Sequence, residues 1–330
     1  MFFYFFVLLF FVLLFFVLLF LFCCFCFSFH FTDSSFLKVL NIISAVNDVM
    51  LSRIKKNARS FIRSDEPVPQ HIAFIMDGNR RFAQKKGLDT NFGHETGMVA
   101  MENILHWTYL AKIKHITVYA FSTENFKRGK EEIDNIFFLL EKALNHISND
   151  ERILRKKIKI RLIGETDRLP EKTLEAFRKL ETQTAQNDGM CLNVAVAYGG
   201  RSDIAQAFEK IASKAVTGEN IPLTDPEISK YLFPFSDETI PDVDFLIRTG
   251  EEHRTSNFLP WQANGNSAVV CFYDKYWPEF TFKDLFYVLR KYQKIEKERR
   301  LKNEKRLENV SAFLEQNAIL DKNILLEKQN

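Results

Sequence analysis

HIAFIMDGNRRF, residues 71–82, is an apolar run that stops at an acid, a glycine and a basic pair. A short apolar stretch bounded by a Gly turn predicts a strand over His71–Met76 with a helix beyond it. The alternation continues outward. Apolar runs at Ile116–Phe121, Ile158–Ile163, Leu192–Ala197, Val243–Ile247 and Ala268–Phe272 predict five more strands. Helical spacing fills the intervals at about 94–112, 129–148, 170–186, 201–215 and 225–232, with a short helix near 256–264. In the second of these, Ile133, Ile136, Phe137, Leu140, Ala143, Leu144 and Ile147 recur at the helical period. Strands separated by helices form βαβ units, so the expected class is α/β, a mostly parallel six-stranded sheet flanked by helices. After Trp277-Pro278 a long helix begins near Thr281 and is highly charged from Arg290 to Glu308. The stretch from there to Asn330 does not distinguish helix from disorder.

The chain has 330 residues, 46% hydrophobic and 26% charged, which excludes disorder throughout. Lys and Arg number 45 against 42 acids, a balance that argues against nucleic acid as a partner. Phe is abundant at 34, and 15 of these fall within Met1–Phe36. Met1–Phe27 carries no charge and repeats FFVLL three times from Phe5. As a helix it would be roughly 40 Å long, enough to cross a bilayer with tilt. Residues 1–32 therefore read as a transmembrane anchor and 33–66 as a basic linker. The alternative is a mistaken start, with Met50 as the true one. Lys38, Arg53, Lys55, Lys56, Arg59 and Arg63 all follow the apolar segment, which orients what comes after it toward the cytosol. The sequon at Asn309-Val310-Ser311 should then stay unmodified. Cys191 and Cys271 stand alone in expected strands, as in a reducing compartment.

Every unusual polar cluster follows a strand, at the edge where α/β sheets bind ligands. In the first, Gly78 permits a tight turn, and the helix N-terminus and Arg81 suit an anion such as phosphate. Asp77 has the wrong charge to touch phosphate but the right one to hold a Mg²⁺ that bridges to it. An ordinary capped turn reads equally well from this cluster alone. Phe92-Gly93-His94 opens the next helix with an imidazole near its positive end, where a plain cap is the simpler reading. The strand ending at Phe121 runs into Ser122-Thr123-Glu124-Asn125-Phe126-Lys127-Arg128. The strand ending at Ile247 runs into Arg248-Thr249-Gly250-Glu251-Glu252-His253-Arg254-Thr255-Ser256, with two Arg six apart that suit a second diphosphate.

Taken together, from about Pro69 to Phe286, the chain resembles the cis-prenyltransferases, which include undecaprenyl and dehydrodolichyl diphosphate synthases. The resemblance rests on HIAFIMDGNRRFA, GHETG, VYAFSTENFKR, LNVAVAYGGR, LIRTGEEHRTSNFLPWQ and WPEF, in that order. It implies a parallel-sheet catalytic domain over 67–290, with 291–330 a charged helical extension. The implied reaction adds isopentenyl diphosphate to an allylic primer, usually farnesyl diphosphate, with Mg²⁺. By motif position Asp77, Asn79 and Asn125 would be catalytic. Gly78, Arg80, Arg81, His94, Phe121, Ser122, Glu124, Phe126 and Arg128 would surround the allylic diphosphate. Arg248, Arg254 and Ser256 would bind isopentenyl diphosphate, and Asp77 with His253 would serve the metal.

The departures from the family pattern carry their own implications. Arg80 replaces a Gly of bacterial members, as in eukaryotic ones. Thr90 stands where many members have Arg, and Ser267 where bacterial enzymes have Glu. The closing RxG motif, expected near Arg299-Arg300-Leu301-Lys302-Asn303, is absent, whereas His253 is kept. These features imply a eukaryotic-type catalytic subunit on the endoplasmic reticulum membrane, making dehydrodolichyl diphosphate for protein glycosylation. An accessory homologue would form a heteromer with it; a homodimer is the other arrangement. The alternative is that the chain is itself the non-catalytic accessory subunit, against which Asp77, Asn79, Arg81 and Asn125 are all intact. An all-helical trans-prenyl synthase is excluded for want of DDxxD, and a nucleotide enzyme for want of GxGxxG or a Walker loop.

Overall fold

A computed structural model describes residues 67–234, 239–264 and 268–327, within a unit spanning Ser64–Asn330. The expected anchor (1–32), the linker (33–66) and Ser267 lie outside the described residues. Among the described residues no helix is long and apolar enough to cross a membrane.

Six strands form one sheet: β1 (His71–Ile75), β2 (His115–Ser122), β3 (Ile158–Ile163), β4 (Met190–Tyr198), β5 (Phe245–Arg248) and β6 (Val269–Phe272). Their order is β3-β4-β2-β1-β5-β6, and every pairing is parallel. Ile72, Ala73 and Phe74 of β1 are wholly buried, which is why its sequence is apolar without alternation. Helices α1 (Asn79–Lys85) and α2 (Thr90–Leu110) follow β1, and α3 (Lys130–Ser148) and α4 (Glu151–Arg155) follow β2. Helices α5 (Glu171–Thr184), α6 (Gly200–Val216) and α7 (Asp225–Ser229) come next, and α8 (Phe282–Glu327) runs to the end of the described chain. The expected helix near 256–264 does not form. Ser256, Asn257 and Leu259 take φ values of 49°, 61° and 48°, left-handed conformations that cannot propagate a right-handed helix. The stretch 309–327, ambiguous by sequence, is helix.

The order of the strands fixes where a ligand can enter. From β1 the chain moves toward β2, and from β5 it moves the opposite way toward β6. β1 and β5 are neighbours, so the connections diverge above their carboxyl ends and leave a crevice there.

A buried polar chain crosses the lower sheet. Cys191 Sγ donates to Asn193 Oδ1, and Asn193 Nδ2 donates to Thr117 Oγ1 at 3.1 Å. His71 Nε2 lies 2.7 Å from Thr117 Oγ1, and Nδ1 lies 2.8 Å from the Pro241 carbonyl. With Nδ1 protonated and Nε2 accepting, every link is satisfied by a neutral imidazole. Burial, with a smaller contribution from His115 and opposition from the Pro241 hydrogen bond, lowers its pKa from 6.5 to about 4. Below pH 6.5 the unfolded chain takes up a proton that the folded one refuses. This residue's contribution is therefore complete above pH 6.5 and lost as pH falls to 4, by about 3 kcal/mol. Denaturant titrations at stepped pH should show that loss in the parent and a flatter profile in His71→Gln. Parallel profiles would mean that His71 is protonated in the fold.

Candidate active site

Asp77 and Arg248 meet across the β1–β5 crevice. Arg248 Nη2 donates to Asp77 Oδ2 at 2.9 Å, and its Nη1 donates to Ser256 Oγ and the Arg254 carbonyl, each at 2.6 Å. Only 5% of the Arg248 side chain is exposed, and its Nε is buried without a partner. The other Asp77 oxygen accepts from Arg81 Nη2 at 3.1 Å. One carboxylate thus bridges two arginines from separate segments. The turn beneath is built for this. Thr249 Oγ1 and the Trp277 N–H both donate to the Asp77 carbonyl, at 2.8 and 3.0 Å. Gly250, at φ 92°, brings its backbone against Asp77 and Arg81, where a Cβ would lie 2.9 Å from the Arg81 guanidinium.

A second basic cluster lies where α1 and α2 face α3. Arg80 Nη1 and Arg128 Nη1 donate to the same Glu132 Oε1, at 2.8 and 2.9 Å. Partial burial, then the charges of Arg80 and Arg128, hold the His94 pKa below its ordinary value, with Glu132 opposing. His94 is therefore a neutral hydrogen-bonding group between cations at neutral pH. Glu132 was not among the expected site residues; its spacing of four from Arg128, just ahead of α3, was the available signal.

Asn79 opens α1, and its buried Oδ1 has no partner. Gly93 and Gly97 let α2 close on it. A Cβ on Gly93 would sit 2.2 Å from the Asn79 carbonyl oxygen, and one on Gly97 would sit 2.7 Å from Asn79 Oδ1. The glycines of GHETG thus set a helix approach rather than a phosphate loop. Gly93→Ala is expected to lower stability by about 1–3 kcal/mol, read as a fall in melting temperature. No fall would mean that the two helices separate at no cost.

At the end of β2 the expected residues divide by role. Phe121 is 1% exposed and packs edge-on against Phe126, with ring centroids 4.9 Å apart, so it supports the wall and offers no surface to an anion. Asn125 Oδ1 accepts from the Ser122 N–H at 3.0 Å and is committed to the turn. Asn257 Nδ2 reaches Glu124 Oε1 at 3.4 Å, while its carbonyl and Oδ1 accept from Gly200 N and Arg201 N. Asn257 therefore ties the ends of β2, β4 and β5 together, a role that no local pattern signals. Burial would raise the Glu124 pKa, but hydrogen bonds from its own N–H, Ser122, Asn257 and Thr123 leave it lowered.

Arg254 and His253 differ from their expected places. Arg254 is exposed at 66% and pairs with Glu252 at 2.7 Å, although its carbonyl holds Arg248. His253 stacks on Phe272 with centroids 5.2 Å apart, and its Nε2 lies 3.5 Å from Asp274. Its neighbours are thus Phe272 and Asp274 rather than the Asp77 pair. Among the described residues no group of three His, Cys, Asp or Glu is arranged to hold a metal. Asp77 remains a carboxylate flanked by anion-binding arginines. That donor set fits Mg²⁺, which takes one or two protein carboxylates and completes its octahedron with phosphate oxygens and water.

Residues 75–301 match the prenyltransferase family described as undecaprenyl diphosphate synthase. A tritrans,polycis-undecaprenyl-diphosphate synthase (geranylgeranyl-diphosphate specific) of Methanosarcina mazei is 42% identical over 234 residues, 70% of this chain and 78% of that one. An isoprenyl transferase of Thermotoga maritima is 38% identical over 231 residues, 70% of this chain and 96% of its own. The crystal structure of lavandulyl diphosphate synthase from Lavandula x intermedia, in complex with dimethylallyl diphosphate, matches with a TM-score of 0.63 at 33% identity. That match covers 68% of this chain and 95% of the other. The family match begins at the end of β1 and takes in every cluster described above.

Proposed function

The chain belongs to the undecaprenyl diphosphate synthase family of prenyltransferases, and we propose that it is a catalytic cis-prenyltransferase subunit extending farnesyl diphosphate with isopentenyl diphosphate. The observation that carries this reading is the single carboxylate of Asp77 bridging Arg81 and Arg248 at the switch-point crevice. Two diphosphates need two cationic faces close together. Here one belongs to α1 and the other to the end of β5.

On the allylic side, Arg81 would bind the primer diphosphate, with Arg80, Arg128 and neutral His94 beside it. On the other, Arg248, Ser256 and the exposed Arg254 side chain would hold isopentenyl diphosphate, setting its alkene against the allylic carbon. The allylic C–O bond breaks, with its electrons leaving on the diphosphate. The alkene forms the new C–C bond, and a proton then leaves the adjacent carbon for an oxygen of the released diphosphate. Preorganised arginines act where the leaving charge develops. Mg²⁺, held by Asp77 and phosphate oxygens, would supply further neutralisation of that charge when bound. Asn125 is committed to Ser122, whereas Asn79 keeps an unfilled hydrogen-bonding position.

The finer reading is dehydrodolichyl diphosphate synthesis for dolichol and glycosylation, at the endoplasmic reticulum membrane with the catalytic domain cytosolic. It is supported by Arg80 and by the apolar head with its basic flank. An accessory partner is supported by Arg299–Asn303, which lies inside α8 with Arg299 Nη1 on Glu296 at 2.7 Å rather than in a free loop. The test is product analysis of the full chain with Mg²⁺ and labelled isopentenyl diphosphate, with and without a co-expressed accessory homologue. Farnesyl, geranylgeranyl and dimethylallyl diphosphates should be compared as primers. Long polyprenyl products from farnesyl diphosphate support the proposal. Preference for geranylgeranyl diphosphate would align it with the Methanosarcina relative, and no incorporation with any primer or partner would end the catalytic reading.

A further inference from the structure

We propose that Tyr276 is a positioning residue for Arg81, holding the guanidinium over the Asp77 turn through the face of its phenol ring; this rests on the diphosphate-binding reading above. Arg81 Cζ lies 5.7 Å from the Tyr276 ring centroid, and Lys85 Nζ, one turn further along α1, lies 5.5 Å from it. Two cations therefore share one aromatic ring. The ring also presses on the turn itself. A Cβ on Gly78 would stand 2.6 Å from Tyr276 Cδ1, so glycine there admits the ring as well as the positive φ of 103°.

The ring has a fixed mount. The Tyr276 N–H donates to Glu279 Oε2 at 3.1 Å, and its carbonyl accepts from the Glu279 N–H at 2.8 Å. The next residue, Trp277, donates its backbone N–H to the Asp77 carbonyl at 3.0 Å and its Nε1 to the Gly97 carbonyl at 2.8 Å. The segment before α8 is thereby tied both to the Asp77 turn and to α2. Arg81 itself is 36% exposed and makes one ion pair, at 3.1 Å. A carboxylate partner uses the same N–H donors that a diphosphate would claim. A π-face partner does not, so the ring keeps Arg81 in place while its donors turn to phosphate. Among the described residues no aromatic ring stands over Arg248, which is buried and held by hydrogen bonds, so the effect belongs to the α1 side of the crevice.

The test compares the full chain with Tyr276→Leu and Tyr276→Phe. Tyr276→Leu removes the π face while keeping an apolar side chain, and should raise KM for farnesyl diphosphate about threefold to tenfold. KM for isopentenyl diphosphate and kcat should stay within about twofold. Tyr276→Phe keeps the ring and loses only the long Oη contact to Glu251, and should recover the farnesyl diphosphate KM. An unchanged KM in Tyr276→Leu, equal damage to both substrates, or a Tyr276→Phe as impaired as Tyr276→Leu would overturn the proposal. If the parent shows no turnover, calorimetry with inorganic diphosphate decides. Weaker binding by Tyr276→Leu alone supports the role of the ring, and equal or absent binding in parent and variant removes it.

Discussion

Asp77→Asn is expected to lower kcat by about 10³-fold while leaving the melting temperature within a few degrees of the parent. The asparagine keeps the shape, and its carbonyl oxygen can still accept from Arg248 or Arg81. What disappears is the negative charge, the one feature that suits this side chain to a divalent cation rather than to phosphate itself. Asp77→Ala is a poorer test. Its carboxylate is counter-ion to both Arg81 and Arg248, and the latter is 5% exposed. Truncation strands a buried guanidinium, so a fall in stability of about 1–3 kcal/mol should accompany the fall in rate. The pair of variants separates charge from scaffold. Steady-state kinetics at saturating Mg²⁺ with a parallel thermal melt is the measurement, and an Asp77→Asn enzyme within tenfold of the parent would take Asp77 out of the chemistry.

The double role of Asp77 illustrates what a sequence can and cannot carry. Inner strands were legible because burial on both faces leaves uninterrupted apolar runs, as in β1 and β4, whereas the edge strand β3 was legible by alternation, with Lys159 and Arg161 between the buried residues of Ile158–Ile163. The turn after β1 was legible because Gly78 and a basic pair announce both its geometry and its taste for anions. The stretch 256–264 was not. Phe258, Leu259 and Trp261 mimic helical spacing, but the Asn257 carbonyl and Oδ1 accept from the N–H groups of Gly200 and Arg201, more than fifty residues away, in a segment of left-handed turns. The same limit hid Tyr276 and Trp277. Their partners Arg81, Asp77 and Gly97 lie about 180 to 200 residues earlier, and only the sheet order brings them together. Arg248 and Arg254 looked equivalent in the sequence for a related reason, since burial is not a local property.

Arg248→Ala should therefore do far more damage than Arg254→Ala. Arg248 makes three contacts with Asp77, Ser256 and the Arg254 carbonyl, all within 2.9 Å, from a side chain almost sealed from water. Its removal leaves a carboxylate with one arginine instead of two, and frees the loop that carries Ser256. Stability should fall by about 2–3 kcal/mol, less than for a fully buried pair because Asp77 is 31% exposed and keeps Arg81. kcat/KM for isopentenyl diphosphate should fall at least 100-fold. Arg254, at 66% exposure and paired only with Glu252, should cost less than about 1 kcal/mol of stability when truncated. Its loss should lower kcat/KM about tenfold, the effect of one charge-assisted contact made only when substrate arrives. Arg248→Lys sharpens the comparison. Lysine restores the charge but lacks the planar fork needed to reach Asp77 Oδ2 and Ser256 Oγ together. If Arg248→Lys recovers the stability but not the isopentenyl diphosphate kinetics, the guanidinium geometry is what the site requires. If it recovers both, charge alone suffices, and the three contacts of Arg248 are packing rather than recognition.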